Sequence, residues 1–120
     1  MSTVLGNVNL FVQDLEAAKR FYVEGLGLQA DEERSHPPSF VLLRAGHCTL
    51  TLQDATPPGA AFGPAASVEL GFAVEDVAAL HRRLADYGAT VSDLQQMGWG
   101  GGFDATDQEG HRLTIYRMAE

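Results

Sequence analysis

The chain has little cysteine and no long apolar run. Its one cysteine, Cys48, can form no disulfide within the chain, and a lone thiol suits a reducing compartment. No apolar stretch is long enough to span a membrane, and Asn7 and Asn9 interrupt the apolar residues that an N-terminal secretory signal would need. These absences predict a cytoplasmic protein that does not insert into a membrane.

Basic residues are also scarce: 8 Lys and Arg stand against 16 Asp and Glu, for a formal net charge of -8. Such a surface repels phosphates, which argues against nucleic acid as a partner. The same acidity favours a cationic small-molecule ligand through long-range attraction, although acidic surfaces also serve only to keep proteins soluble.

The most informative feature that is present is an internal repeat. Residues 7–27 and 69–89 follow one order: an alternating strand-like segment, an aspartate, a helical run and a glycine. Asp14 and Asp76 are placed to cap the two helices. Further strands are predicted near residues 28–33, 40–44 and 48–53 in the first repeat, and near residues 90–94, 103–106 and 112–117 in the second.

The repeat predicts an α+β fold made of two βαβββ modules. Residues 54–66 are rich in Pro, Gly and Ala and are predicted to be a linker between module 1–53 and module 67–120. Neither half alone would bury enough apolar surface, so we expect all 120 residues to form a single domain.

Strand alternation predicts one polar face in each module, opposite the face that packs on the helices. The polar faces carry Asn7, Asn9, Phe11, Thr49, Thr51, Gln53, Glu69, Gly71, Thr114 and Tyr116. Buried amides and hydroxyls cost free energy unless they are paired, so a purely structural hollow would be filled with aliphatic residues. We therefore predict a small-molecule pocket; the alternative is a sheet face that is solvated or satisfies its own hydrogen bonds.

Glu69 and two aromatic residues are the individual candidates for the pocket. If Glu69 is buried, it needs a cation or a raised pKa; otherwise it pairs with Arg112 or faces water. Trp99 lies in a glycine-rich segment and would either close over a ligand or plug the rim or a dimer interface, and Phe103 shares that ambiguity. Among the histidines, His81 is expected to be solvent-exposed and His111 to lie in a turn.

Taken together and in order, the motifs of the chain resemble those of the vicinal oxygen chelate superfamily, which includes glyoxalases, bleomycin-resistance proteins and extradiol dioxygenases. The resemblance covers nearly the whole length. It is carried by Asn7-Val-Asn-Leu-Phe-Val-Gln-Asp-Leu-Glu-Ala-Ala-Lys-Arg-Phe-Tyr22 with Gly25-Leu-Gly27, by Phe72-Ala-Val-Glu-Asp-Val-Ala-Ala-Leu80, and by Trp99-Gly, Phe103 and Asp107-Gln-Glu-Gly-His111. It implies a curled mixed sheet, with each module forming half of a cup that holds ligand or metal, and it implies homodimers.

The resemblance also implies four strand positions that supply metal ligands in many members. Matching by distance from the capping aspartates places Asn7 and Glu69 on the first strands, with Thr51 and Thr114 on the last strands. Divalent ions need several converging carboxylate or imidazole donors, and Glu69 alone is a usual ligand. We therefore expect no metal site and no cofactor.

Three functions stay open at this point. The first is a metal-independent protein that binds or sequesters a small molecule, as in the bleomycin-resistance branch; its ligand-binding residues would be Asn7, Asn9, Phe11, Thr49, Thr51, Glu69, Trp99, Phe103, Thr114 and Tyr116. The second is a lyase, isomerase or dioxygenase with a degenerate metal site, or a metal-free enzyme with Glu69 as its base. The third is a ligand-sensing or interacting dimer. The missing metal ligands favour the first.

Overall fold

The computed structural model describes residues 7–55, 68–97 and 100–118. The chain divides into two compact units, Met1–Phe62 and Gly63–Glu120. Most of the predicted linker lies outside the described residues. Each unit contains one mixed sheet and helical structure, so the prediction of an α+β fold is confirmed. Of the helices in the described ranges, none has the length and apolar character needed to cross a bilayer.

The first unit follows the predicted β-α-β-β-β order. Strand β1 is Asn7–Val12, helix α1 is Leu15–Arg20, and three strands follow: β2 (Gln29–Ala30), β3 (Phe40–Ala45) and β4 (Cys48–Asp54). The sheet order is β1-β4-β3-β2, in which β1 runs parallel to β4 and the other pairs are antiparallel. The parallel pair arises because a helix, rather than a tight turn, follows β1.

Asp14 caps the start of helix α1, where its side chain accepts a hydrogen bond of 3.0 Å from the Ala17 amide. It continues directly into a π-helical turn, Phe21–Gly25. This turn buries the rings of Phe21 and Tyr22 edge to face, with centroids 5.0 Å apart. The core of the unit lies between this helical segment and the apolar face of the sheet, which contributes Leu10, Val12, Val41, Leu43, Leu50 and Leu52.

The second unit repeats the plan with one more strand. Strand β5 is Glu69–Ala73 and helix α2 is Val77–Tyr87, followed by β6 (Thr90–Val91), β7 (Gln95–Met97), β8 (Gly100–Thr106) and β9 (Arg112–Met118). The sheet order is β5-β9-β8-β6, with β7 also paired to β8 and β5 parallel to β9. Thus β6 and β7 both lie along one edge of β8.

Helix α2 has the expected start and end. The Asp76 side chain accepts a hydrogen bond of 2.9 Å from the Ala79 amide, a cap that stabilises a helix by about 1 kcal/mol. At the other end, Gly88 adopts a left-handed conformation with φ of 102°, which a side chain would strain. The helix buries Leu84 against a sheet face that contains Phe103, Ala105, Leu113 and Ile115.

Candidate functional site

The first unit presents one face of its sheet away from its core. Strand register aligns Asn7 with Thr49 and Asn9 with Thr51. A depression of about 340 Å³ lies on this face. We call this surface the first polar face; its lining residues are Asn7, Asn9, Phe40, Leu42, Thr49, Thr51 and Gln53. Phe11 borders it, because Phe11 is opposite Gln53 in the register and alternates with the buried Leu10 and Val12.

A directional chain of hydrogen bonds joins three residues of the first polar face. The Thr51 hydroxyl, on a residue that is 6% exposed, donates to Asn7 Oδ1 at 2.8 Å. Asn7 Nδ2 in turn donates to Asn9 Oδ1 at 2.8 Å. The chain ends at the amide group of Asn9, which is exposed. The face therefore satisfies part of its own hydrogen bonding and presents the rest outward.

The second unit has a charged face in the corresponding place. Thr114 Oγ1 donates to Glu69 Oε1 at 2.6 Å, and Arg112 Nη2 donates to Asp104 Oδ2 at 2.9 Å. Arg112 Nε lies 3.7 Å from Glu69 Oε2. We call Glu69, Asp104, Arg112 and Thr114 the second polar face; Glu69, Asp104 and Arg112 line a depression of about 610 Å³.

Glu69 is exposed and paired with Arg112, which is the second of the two alternatives that the sequence left open. Its side chain is 52% exposed and is paired with Arg112 rather than buried without a partner. An ion pair this exposed contributes about 0–1 kcal/mol, because water screens it. With about half of its side chain exposed, Glu69 is not in the desolvated environment that would mark a general base.

The two units repeat one contact at equivalent positions. In each, a threonine of the last strand donates its hydroxyl to the first residue of the opening strand: Thr51 to Asn7, and Thr114 to Glu69. Asn9 and Gly71 are the register partners of these threonines in the two sheets. The structure thus brings together, pair by pair, the four positions matched to family metal ligands.

These four residues do not form a suitable donor set for a divalent metal. The first pair offers an amide and a hydroxyl, both neutral. In the second pair, the Glu69 carboxylate already interacts with Thr114 and with the cationic Arg112, which opposes a metal ion. Within residues 7–55, 68–97 and 100–118, no three His, Cys, Asp or Glu side chains converge as a metal site. Zinc and harder ions both require more charged or imidazole donors than this.

The three remaining predicted ligand-binding residues, Tyr116, Phe103 and Trp99, differ in where they lie. Tyr116 alternates with the buried Ile115 and lies beside Gly71, where a Cβ atom would be 3.5 Å from its Cε1 atom. Phe103 does not lie on the polar face: it is 3% exposed, and its ring packs edge to face on His81 of α2, 4.8 Å between centroids. The polar neighbour on that strand is Asp104. Trp99 lies outside the described residues.

Two histidines are more constrained than their sequence positions indicated. The expectation that His81 is solvent-exposed was wrong: it is half-buried, packs on Phe103, and has Nε2 2.9 Å from the carbonyl oxygen of Ser92. His111 is 5% exposed, and its Nδ1 lies 2.7 Å from Asp107 Oδ2. Both residues pack within the second unit, where they stabilise the sheet edge and the turn before β9.

Several residues of the polar faces could not be predicted from the sequence. Phe40 and Leu42 were not assigned because β3 reads Phe40-Val-Leu-Leu43, apolar on both faces, so alternation gives no signal. Asp104 lies within the strand predicted at residues 103–106, but that strand was not assigned a polar face. The observed strand begins at Gly100, and its alternation places Gly102 and Asp104 on the face opposite Phe103.

Comparisons with known proteins agree with this architecture. The family model described as Glyoxalase/Bleomycin resistance protein/Dioxygenase superfamily matches residues 4–115. No protein of curated function matches the sequence. Among solved structures, TnmS3, an antibiotic-binding protein from Streptomyces sp. CB03234, is 23% identical, with a TM-score of 0.80 and coverage of 98% of each chain.

Two further solved structures have the same fold. TioX from Micromonospora sp. ML1 is 19% identical with a TM-score of 0.79, covering 98% of this chain and 100% of that one. Lactoylglutathione lyase from Agrobacterium tumefaciens is 19% identical with a TM-score of 0.77, covering 97% of this chain and 94% of that one. At such identities the likeness concerns the fold, which is shared by an antibiotic-binding protein and an enzyme.

Proposed function

Since this chain belongs to the glyoxalase/bleomycin resistance protein/dioxygenase superfamily, we propose that it is a metal-independent protein that binds an organic small molecule on its polar sheet faces. The observation that carries the proposal is the state of the four family ligand positions. Asn7 and Glu69 accept hydrogen bonds from Thr51 and Thr114. The side chains at these four positions therefore form hydrogen-bonded pairs with one another rather than a set of metal donors.

The two polar faces suit an organic ligand in their chemistry and size. Specific sites for small molecules combine a mainly apolar surface with a few placed polar groups, within volumes of about 300–1,000 Å³. The first polar face has that composition, with Phe40 and Leu42 beside amides and hydroxyls, and its depression measures about 340 Å³.

We propose in addition that the protein acts as a homodimer in the cytoplasm.

An enzymatic role is the second candidate. The Glu69 carboxylate is exposed on a depression of about 610 Å³, where a substrate could reach it, and a metal-free isomerase or lyase would use it as a base. Thr114 donates a hydrogen bond to one Glu69 oxygen and the Arg112 guanidinium forms an ion pair with the other, which disfavours this role. If it applies, Glu69→Gln abolishes turnover; if the binding role applies, no turnover is there to abolish.

Thermal stability of chelator-treated protein tests the proposal. The protein is screened against aromatic and glycopeptide antibiotics and lactoylglutathione, without metal and then with Zn²⁺, Mg²⁺, Mn²⁺ or Fe²⁺. We expect one compound class to raise the melting temperature without metal. At a concentration 100 times Kd, the stabilisation is about 2.7 kcal/mol, or roughly 10 °C for a chain of this size.

The metal arms of the same screen serve as its control. The proposal requires that the stabilisation scale with ligand concentration and stay unchanged when metal is added. Stabilisation that appears only with a divalent metal, or metal-dependent turnover of lactoylglutathione, would contradict it.

A further inference from the structure

We propose that the first polar face takes a neutral fused aromatic ring that carries a carbonyl acceptor. This inference rests on the proposed function and specifies the chemical class of the ligand. It departs from the expectation of a cationic ligand, which came from the net charge of the whole chain.

The charge of the first polar face argues against a cation. All of its lining residues are neutral, although the chain as a whole carries a formal charge of -8. The charged residue in register with this face is Arg44, opposite Thr49 on the neighbouring strand. Arg44 is itself paired with Asp31 across 3.6 Å. A cationic ligand would meet no carboxylate among the lining residues and would approach a guanidinium instead.

Two side-chain amides of the face, those of Asn9 and Gln53, have N–H donors without an acceptor among the described residues. The series of hydrogen bonds from Thr51 through Asn7 ends at Asn9. Asn9 Oδ1 accepts from Asn7, and Asn9 Nδ2 can donate to a ligand. Gln53 is half-buried, and its side-chain amide has no hydrogen bond to any described residue. A half-buried amide gains free energy from a partner that offers an acceptor. A ligand carbonyl placed between Asn9 and Gln53 would accept from either amide.

The shape of the face suits a flat ring. Phe11, Gln53 and Phe40 form one row across three strands, and Leu42 lies next to Phe40 on β3. Neighbouring strands are about 4.8 Å apart, so this row is about 10 Å wide, and the face extends about 13 Å along β1 from Asn7 to Phe11. These dimensions match two or three fused rings. Phenylalanine rings at one end favour stacking or edge contacts with an aromatic ligand.

Two tricyclic probes of similar size test the inference. Acridone is neutral and has a ring carbonyl, whereas proflavine is cationic and has none. Chelator-treated protein is titrated with each by fluorescence and calorimetry. We expect acridone to bind at least about 10-fold more tightly than proflavine. We expect Gln53→Leu and Asn9→Leu each to weaken acridone binding by about 3- to 10-fold, the range of one hydrogen bond.

Control variants separate the ligand contact from a structural effect. Gln108→Leu makes the same chemical change on an exposed residue in the turn before β9, and acridone affinity should stay as in the wild type. Phe40→Ala should weaken acridone binding by about 2- to 12-fold through the lost ring contact. Melting temperatures of Asn9→Leu and Gln53→Leu should match that of Gln108→Leu, because neither side chain belongs to the core.

The inference would be overturned by tighter binding of proflavine than of acridone, by an acridone affinity that is unchanged in Gln53→Leu, or by a sedimentation mass that changes in Gln53→Leu although acridone does not bind. The last would mean that a second copy of the chain covers this face. If neither probe binds but another compound stabilises the metal-free protein, the inference fails and the proposed function stands. If all stabilisation requires metal, both fail.

Discussion

Asp107→Ala should lower the free energy of unfolding by about 3–5 kcal/mol. The Asp107 side chain is fully buried, and each of its oxygens has a partner. Oδ1 accepts from the amides of Glu109 and His111, both at 2.9 Å, and Oδ2 lies 2.7 Å from His111 Nδ1. Alanine would leave three polar groups without acceptors in or next to the core, and each such loss costs about 1–3 kcal/mol.

Urea unfolding followed by circular dichroism measures this effect. Asp93→Ala is the matched control, because Asp93 is exposed, and it should change stability by no more than about 0.5 kcal/mol. Asp107→Asn should fall between the two, since its remaining oxygen still accepts from the backbone amides. Equal midpoints for Asp107→Ala and Asp93→Ala would mean that this turn does not stabilise the second unit.

Leu52→Ala should lower the free energy of unfolding and Gln53→Ala should lower ligand affinity, although the two residues are adjacent on β4. Leu52 is 0% exposed and packs in the core of the first unit, so its truncation should cost about 2–5 kcal/mol. Gln53 is half-buried on the first polar face without a described side-chain partner, so its truncation should cost about 0.5 kcal/mol or less. Ligand affinity, measured well below the melting temperature, should fall in Gln53→Ala and stay near the wild-type value in Leu52→Ala.

The pair tests which face of β4 is structural. Both free energies come from urea titrations under one set of conditions, and both affinities from the same calorimetric titration. Similar losses of stability in the two variants would mean that Gln53 also supports the core. The assignment of the first polar face would then be wrong at its centre.

The order of the elements along the chain and the helix caps could be predicted from the sequence because their signals are local. Asp14 and Asp76 precede helical runs at the same place in each repeat, and both accept the expected capping hydrogen bond. Alternation also works on β1 and β4, where apolar and polar residues alternate strictly enough to define a face. Such signals need only the neighbouring residues of one segment.

Alternation predicted the bounds and faces of a strand less well where the strand is short, glycine-rich or apolar on both faces. The second repeat was predicted to have one strand at residues 90–94, but the structure has β6 at Thr90–Val91 and β7 at Gln95–Met97. The polar Gln95 and Gln96 gave no strand pattern, and the pairing of β7 comes from β8. The glycines before Phe103 likewise gave no strand pattern, so the start of β8 at Gly100 was not predicted.

Side-chain partners could be predicted from the sequence only as alternatives. Pairing with Arg112 was one of the states left open for Glu69, and the register of β5 with β9 decides that Arg112 and Thr114 are close to it. The Asp107 and His111 pair did carry a signal: an aspartate followed by a glycine-containing turn often accepts hydrogen bonds from the backbone of that turn. Its burial, however, depends on the packing of the whole unit.

The most direct test of metal-independent binding is an NMR titration of ¹⁵N-labelled, chelator-treated protein. The ligand is the compound that stabilises the metal-free protein most in the thermal screen. We predict that the side-chain amide resonances of Asn7, Asn9 and Gln53 shift in proportion to occupancy before any metal is added. Shifts that spare all three, or that appear only once a divalent ion is present, would contradict the account.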